Sequence, residues 1–256
     1  MTVPPATFVK RRVDAPPGFF EVEAAGLRWL AVPGGVPVAP PLEFTATSMT
    51  TPHLDTVPPT GAAADEFGRL LAVTHAAGAR WYGVPPDGWD TDGFIGTIEL
   101  PHSLRPLDTW GAFYANLRLR PYLRTAYDAG TIDAAHLKVF ERLCHKLEAG
   151  AYDDPAERPS RLHGDLWSGN VVWCADGVHL IDPAAHGGHR ETDLAMLNLF
   201  GMPQVERVLR AYDEAHPLAD GWRERVDLHR LHPLLTHVVM FGAAYVPRAL
   251  AVAHHY

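Results

Sequence analysis

Apolar residues first fall at helical spacing between Gly18 and Ala31, where Phe20, Ala24, Leu27 and Ala31 line one stripe. Glu23 shares the neighbouring stripe with Leu27 and Leu30, which directs its carboxylate inward. Ahead of this helix, Thr7 to Val9 is a short β-like run that ends at Lys10. Residues 33–61 are rich in proline and predict irregular strands and turns. They mark a boundary between a small N-terminal lobe, residues 1–61, and a larger helical lobe, residues 62–256. Helical periodicity returns from Ala62 through His75, with Phe67, Leu70, Leu71 and Val73 supplying apolar faces. Residues 83–107, dense in Pro, Gly and Asp, read as loop. Two helices follow, Trp110 to Gly130 and Asp133 to Gly150. The last third predicts short strands around Val171 and Leu180, then helices near Thr192 to Phe200, Gln204 to His216 and Arg223 to Val246.

The two strands of that last third carry the chemistry. Val171 to Cys174 and Val178 to Ile181 flank Ala175-Asp176-Gly177 and predict a β-hairpin. With a three-residue loop, Cys174 faces Val178 and Asn170 lies opposite Asp182. A two-residue loop shifts the pairing by one position and keeps them neighbours. Opposed side chains in a hairpin have Cβ atoms about 5 Å apart. Asn170 follows Asp165 by five residues and Asp182 follows it by seventeen. An amide oxygen beside a carboxylate suits magnesium, which takes hard oxygen ligands and keeps several waters. Asp165, on the preceding loop, can accept the proton of a hydroxyl that attacks a phosphate. A lone His-Gly-Asp reads equally well as a plain turn; the Asn and the strand-terminal Asp in one hairpin argue against that. Protein kinases place an Asp, an Asn five residues on and a metal-binding Asp in the same way.

Charge and composition narrow the function class. The net charge of -8 over 256 residues excludes an ordinary nucleic-acid binder, which needs clustered Lys and Arg. Lys10-Arg11-Arg12 is the longest basic run. Two cysteines, Cys144 and Cys174, make no disulfide framework or zinc spacing and read as buried thiols. Met1 to Phe8 lack the charged and apolar regions of a signal peptide, and no run reaches the roughly 18 apolar residues of a membrane span. The expectation is a cytoplasmic protein without a membrane or nucleic-acid partner.

The run from Arg161 to Phe200 contains HGDLWSGN, IDPA and GHRETDLAM. It resembles the fructosamine-kinase (ketosamine 3-kinase) family, a branch of the aminoglycoside-phosphotransferase-like kinases. Further matches are DGFIGTIELPHS at 92–103, DTWGAFYANLRLRPYL at 108–123 and LHPLLTHVVMFGAAYV at 231–246, so the resemblance covers nearly all of residues 8–256. It implies an α+β, protein-kinase-like two-lobe fold with a reduced N-terminal β lobe and a mainly helical C-terminal lobe. It also implies transfer of phosphate from ATP, with Mg2+, to the C3 hydroxyl of a small-molecule or protein-bound ketosamine, and hence deglycation.

Residue by residue, Asp165 resembles the catalytic base, and Asn170 and Asp182 the magnesium ligands. Lys10 resembles the strand lysine on the nucleotide phosphates, and Glu23 its helix partner. Asp193 resembles an aspartate that braces the catalytic loop, beside His163, although an ordinary helix cap would suit it equally. Trp167, His189 and Arg190 are candidates for the acceptor pocket, with packing or an ion pair as the competing role for Trp167 and Arg190. Trp110 and His75 also match family positions and suit a core role equally.

The family's small lobe opens with a glycine-rich hairpin over the phosphates. The nine residues before Lys10 contain no glycine and span at most about 30 Å, enough for a single strand. This departure predicts either a chain start truncated relative to a functional protein or weakened nucleotide binding, and keeps a catalytically impaired pseudokinase as an alternative. A kinase for another hydroxylated amine, such as an aminoglycoside, is a second alternative. The Trp167-Ser168-Gly169 insert and the run from Gly188 to Glu191 favour ketosamines.

Overall fold

A computed structural model describes residues 6–107 and 109–256. The expectations about a leader and a glycine-rich hairpin fall partly on residues 1–5, outside the described residues. Strand β1 (Thr7–Arg11) is followed by helix α1 (Phe19–Leu30). The helix starts at Gly18, in the left-handed region at φ 83°, where a Cβ would lie 2.6 Å from the Trp89 ring. Strands β2 (Glu43–Thr45) and β3 (Ser48–Pro52) complete an antiparallel sheet in the order β1-β3-β2, with Lys10 opposite Met49. Against it α1 packs Phe19, Phe20, Ala24 and Leu27 around Met49. The proline-rich connection touches a later hairpin at two places, through bridges from Val38 to Leu180 and from Thr56 to Cys174.

Helix α2 (Gly61–Ala76) is capped by Thr60, whose hydroxyl accepts the Ala63 N–H at 3.2 Å. Residues 83–107 depart from the loop reading, because β4 (Gly93–Ile95) and β5 (Ile98–Leu100) form a small hairpin around Gly96 at φ 58°. Three residues per strand are too few for alternation to show through the surrounding glycine and proline. The predicted helix from Trp110 to Gly130 is present in three pieces: α3 (Trp110–Phe113), a π-helical turn over Tyr114–Leu119, and α4 (Arg120–Asp128). Pro121 has no N–H to give the Leu117 carbonyl, which accepts from the Arg118 guanidinium at 2.9 Å instead. Helix α5 (Ala134–Glu148) begins with a capping box, Asp133 bonding the N–H groups of Ala135 and His136.

The remaining strands are β6 (Ser160–Leu162), β7 (Val171–Cys174), β8 (Gly177–Leu180) and β9 (His186–Gly188), paired β6-β9 and β7-β8. Helices α6 (Arg190–Leu197), α7 (Val205–Ala215), α8 (Trp222–Phe241) and α9 (Val246–His255) finish the chain. The reading of one helix through Val246 is corrected here. Gly242, at φ 83° and ψ −159°, stops α8, and a short 3₁₀ turn leads into α9. One core joins α3 to α5 with α8 and α9 through Tyr122, Phe140, Leu143, Leu231 and Leu235. A second joins α2 and α7 to the β7-β8 hairpin through Phe67, Leu71, Trp173, Leu180 and Tyr212. Cys144 and Cys174 are free and buried, and among the described residues no helix is long and apolar enough to cross a membrane.

Candidate active site

The loop that leaves β6 is held by one carboxylate. Asp193, fully buried in the first turns of α6, accepts the His163 N–H at 2.7 Å and the Gly164 N–H at 3.0 Å. Its Oδ2 also meets His75 Nε2 at 3.2 Å, and His75 Nδ1 meets the Tyr212 hydroxyl at 2.9 Å. The chain must be glycine at 164: φ is 81°, and a Cβ would lie 2.1 Å from the Ala184 carbonyl oxygen. The His163 ring donates from Nε2 to the Ile181 carbonyl at 2.9 Å, and its Nδ1 accepts the Asp165 N–H at 3.2 Å. Burial holds the pKa of this imidazole below its ordinary value, which favours the neutral tautomer these bonds require. His163 therefore ties the loop to the segment that leads from β8 to Asp182. His189, not Asp193, caps α6, its Nδ1 accepting the Glu191 N–H at 3.2 Å.

Beyond the loop, one turn of 3₁₀ helix (Ser168–Asn170) turns Asn170 back under Asp165. The Asn170 amide nitrogen donates to the Asp165 carbonyl at 2.8 Å and to its carboxylate at 3.1 Å. That assignment leaves the amide oxygen facing away from Asp165 as an open acceptor. The hairpin has the two-residue loop, with Cys174 opposite Gly177 and Val171 opposite Leu180. Asn170 therefore faces Ile181, whose N–H it accepts at 3.2 Å, and the pairing of Asn170 with Asp182 is corrected by one position. Asp182 comes next, at φ 54°, a left-handed conformation that aspartate tolerates better than most residues.

Lys10 joins the small sheet to this group. Its ammonium lies 2.9 Å from both Glu23 oxygens and 3.1 Å from Asp182 Oδ1. Burial works to lower the lysine pKa, and the two carboxylates outweigh it and raise it. Burial pushes Glu23 up to about 7, with Lys10 opposing and Asp182 adding to the rise. Both directions can hold together, because one ammonium shared between two acids offsets only one of them. Asp165 is also pushed up, to about 6, mainly by burial, while the Asn170 amide opposes and Asp182 reinforces. Lys10, Glu23, Asp165, Asn170 and Asp182 line one cleft of about 370 Å³. The Asn170 and Asp182 oxygens are hard donors that could hold a divalent cation such as magnesium, and Asp182 is 43% exposed.

Two acceptor-pocket candidates lie elsewhere. Arg190 is buried and paired with Glu157 on both carboxylate oxygens, at 3.1 Å from Nε and 2.5 Å from Nη2. It also donates to the carbonyls of His216 and Pro217, on the α2–α7 side of the molecule. His189 packs between Trp110 and His229, with ring centroids 5.2 and 4.7 Å away. Its neighbour Glu191 is held by Arg225 at 2.6 and 3.0 Å, so this buried cluster is an ion-pair network. Sequence adjacency to the loop misled here, because the start of α6 turns both side chains away from the cleft. Trp110 and His75 are core residues, 3% and 1% exposed. Trp167 does line the cleft and is 37% exposed. Sequence periodicity missed the cavity on its far side, lined by Met196, Phe200, His237, Met240 and Phe241, because apolar residues at helix ends read as ordinary core.

A sequence profile described as fructosamine kinase matches residues 4–255. A probable ketoamine kinase of Enterococcus faecium is 31% identical over 94% of this chain and 83% of its own. Another, from Vibrio parahaemolyticus, is 34% identical over 72% of this chain, which spans 60% of that relative's length. A crystal structure from Thermobifida fusca, described as a putative fructosamine-3-kinase, superposes with a TM-score of 0.89 at 46% identity, covering 98% of this chain and 85% of that one. More remote solved structures such as the gentamicin–APH(2″)-IIa complex, at 10% identity and a TM-score of 0.63, share the fold alone. The chain belongs to the fructosamine kinase family, small-molecule phosphotransferases with an α+β, aminoglycoside-phosphotransferase-like kinase fold.

Proposed function

We propose that this chain transfers the γ-phosphoryl group of ATP to the C3 hydroxyl of a ketosamine. The observation that carries the reading is the Asn170 amide fixed against Asp165 in the same cleft as Lys10 and Asp182. The hydroxyl oxygen attacks the γ-phosphorus, the bond to the bridging oxygen of ADP breaks, and the hydroxyl proton passes to Asp165. Asn170 orients that carboxylate, and its raised pKa makes it a competent proton acceptor near neutrality. Lys10 supplies positive charge to the phosphates, with Glu23 holding its ammonium in place. Magnesium bound through Asn170 and Asp182 would neutralise charge on the transferring phosphates. In the ketosamine 3-phosphate, enolisation towards C1 expels inorganic phosphate from C3, and water hydrolyses the resulting imine to the free amine and a sugar-derived dicarbonyl, which is the deglycation step.

Incubation of ribulosamine- and fructosamine-lysine with Mg-ATP, followed by phosphorus NMR, tests this directly. A new phosphomonoester that depends on Asp165 supports it, and ADP formation without one on either adduct sinks it. Lys10→Ala is expected to lower kcat/KM for ATP by roughly 10- to 100-fold, the loss of a charged hydrogen bond. An unchanged value would remove Lys10 from the nucleotide site.

The pH dependence follows from Asp165. Below about 6 the acid holds its proton and cannot take another, so kcat/KM for the acceptor is expected to rise with pH through that value and then level off. A profile flat between pH 5 and 8 would exclude this carboxylate as the proton acceptor.

A further inference from the structure

Two cavities meet at Asp165 and differ in character. On one side are Lys10, Glu23, Asn170 and Asp182. The other, also about 370 Å³, shares only Gly96, Asp165 and Trp167 with the first. Its remaining walls are apolar or aromatic apart from Thr236 and His237, and Asp165 is its one charged residue. Trp167 meets Phe200 edge-on at 6.1 Å, Phe200 meets His237 at 5.1 Å, and His237 meets Phe241 at 5.3 Å. Phe200 and Phe241 are 47% and 58% exposed, so a continuous row of rings faces solvent from the reacting carboxylate outwards. The turn of the β4-β5 hairpin closes the other flank, where a Cβ on Gly96 would lie 3.1 Å from the Met240 methyl.

We infer that this cavity selects the amine half of the substrate, favouring ketosamines whose nitrogen carries an aromatic or branched-aliphatic group. The inference rests on the proposed function, which places the sugar hydroxyl at Asp165. With the hydroxyl there, the polar side of the cleft belongs to the phosphates and the nitrogen substituent must leave towards the rings. An apolar group covers them and is desolvated in return, whereas a hydroxyethyl group covers less. A polyamine such as an aminoglycoside needs several carboxylates, and this wall offers none beyond Asp165.

The test compares ribulosamine adducts of phenethylamine, isoamylamine, ethanolamine and Nα-acetyl-lysine. We expect kcat/KM to be at least about tenfold higher for the first two than for ethanolamine, the range that one or two methylenes carry in an apolar pocket, with the lysine adduct between. Phe200→Ala and Phe241→Ala, at exposed positions, should erase that preference, lowering kcat/KM for the phenethylamine and isoamylamine adducts to about the value of the ethanolamine adduct. Equal treatment of the four adducts, or an equal loss on all in the variants, overturns the inference. Calorimetric binding of the phenethylamine and ethanolamine adducts to Asp165→Asn separates the two readings. A tenfold preference in binding with no turnover by the wild type overturns the kinase reading alone. Equal affinities, or no binding of either, overturn the selection of the amine.

Discussion

Asp165→Asn is expected to reduce kcat by roughly 10²- to 10⁴-fold, the range removed with a positioned general base. The amide keeps the shape of the acid and its contact with Asn170, so nucleotide affinity should be little changed. The same substitution is expected to stabilise the unliganded protein at neutral pH. Folding raises the Asp165 pKa from its ordinary 3.8 to about 6, so the folded chain holds the proton more tightly than the unfolded one. Stability therefore falls as pH rises through that window, and the full cost of the buried charge remains above it. Removing the charge should return up to about 3 kcal/mol at pH 7, a rise in Tm of several degrees for a chain of this size, and almost nothing at pH 4. Thermal denaturation at the two pH values checks this. A variant no more stable than wild type at pH 7 would show that the carboxylate is not strained by its surroundings.

Asp193→Ala is expected to be the most damaging single change to the fold of the site. It leaves the N–H groups of His163 and Gly164 and the His75 ring without their acceptor in a fully buried position. Stranding several buried hydrogen-bond partners of one carboxylate costs about 3–5 kcal/mol, which corresponds to a fall in Tm of about 10 °C. Asp193→Asn keeps one acceptor oxygen and turns an NH2 towards a donor, so it should fall between alanine and wild type. The loss should appear in acceptor turnover as well, since the residues that hang from Asp193 carry Asp165. A Tm within 2 °C of wild type for the alanine variant would contradict this bracing role.

Much of the site was legible in the sequence because it is local. Asp165, Asn170 and Asp182 are linked by a short loop and a hairpin, and either loop length leaves the last two adjacent. The structure chose the shorter loop, and Asp182 follows in a left-handed conformation. Glu23 was legible as an inward carboxylate from its helical stripe, and it is 6% exposed. Its contact with Lys10 was not, since thirteen residues and a turn separate them. Family resemblance supplied that pairing. The misplacement of Arg190 has a different cause. A motif says which residues are neighbours along the chain, while the direction of a side chain depends on how the next helix starts. Gly242 was hidden for a related reason, because the apolar pattern continues across it and a periodicity argument does not see a single reversed φ.

The shared lysine has one more consequence under the proposed function. The Lys10 ammonium lies 3.1 Å from Asp182, the acid assigned to the cation. A charge already answered is a poorer host for a second positive partner. Arriving phosphates that draw the ammonium away free the Asp182 carboxylate at the moment the divalent ion is needed. Each guest thus prepares the place of the other, and by reciprocity the gain is the same whichever enters first.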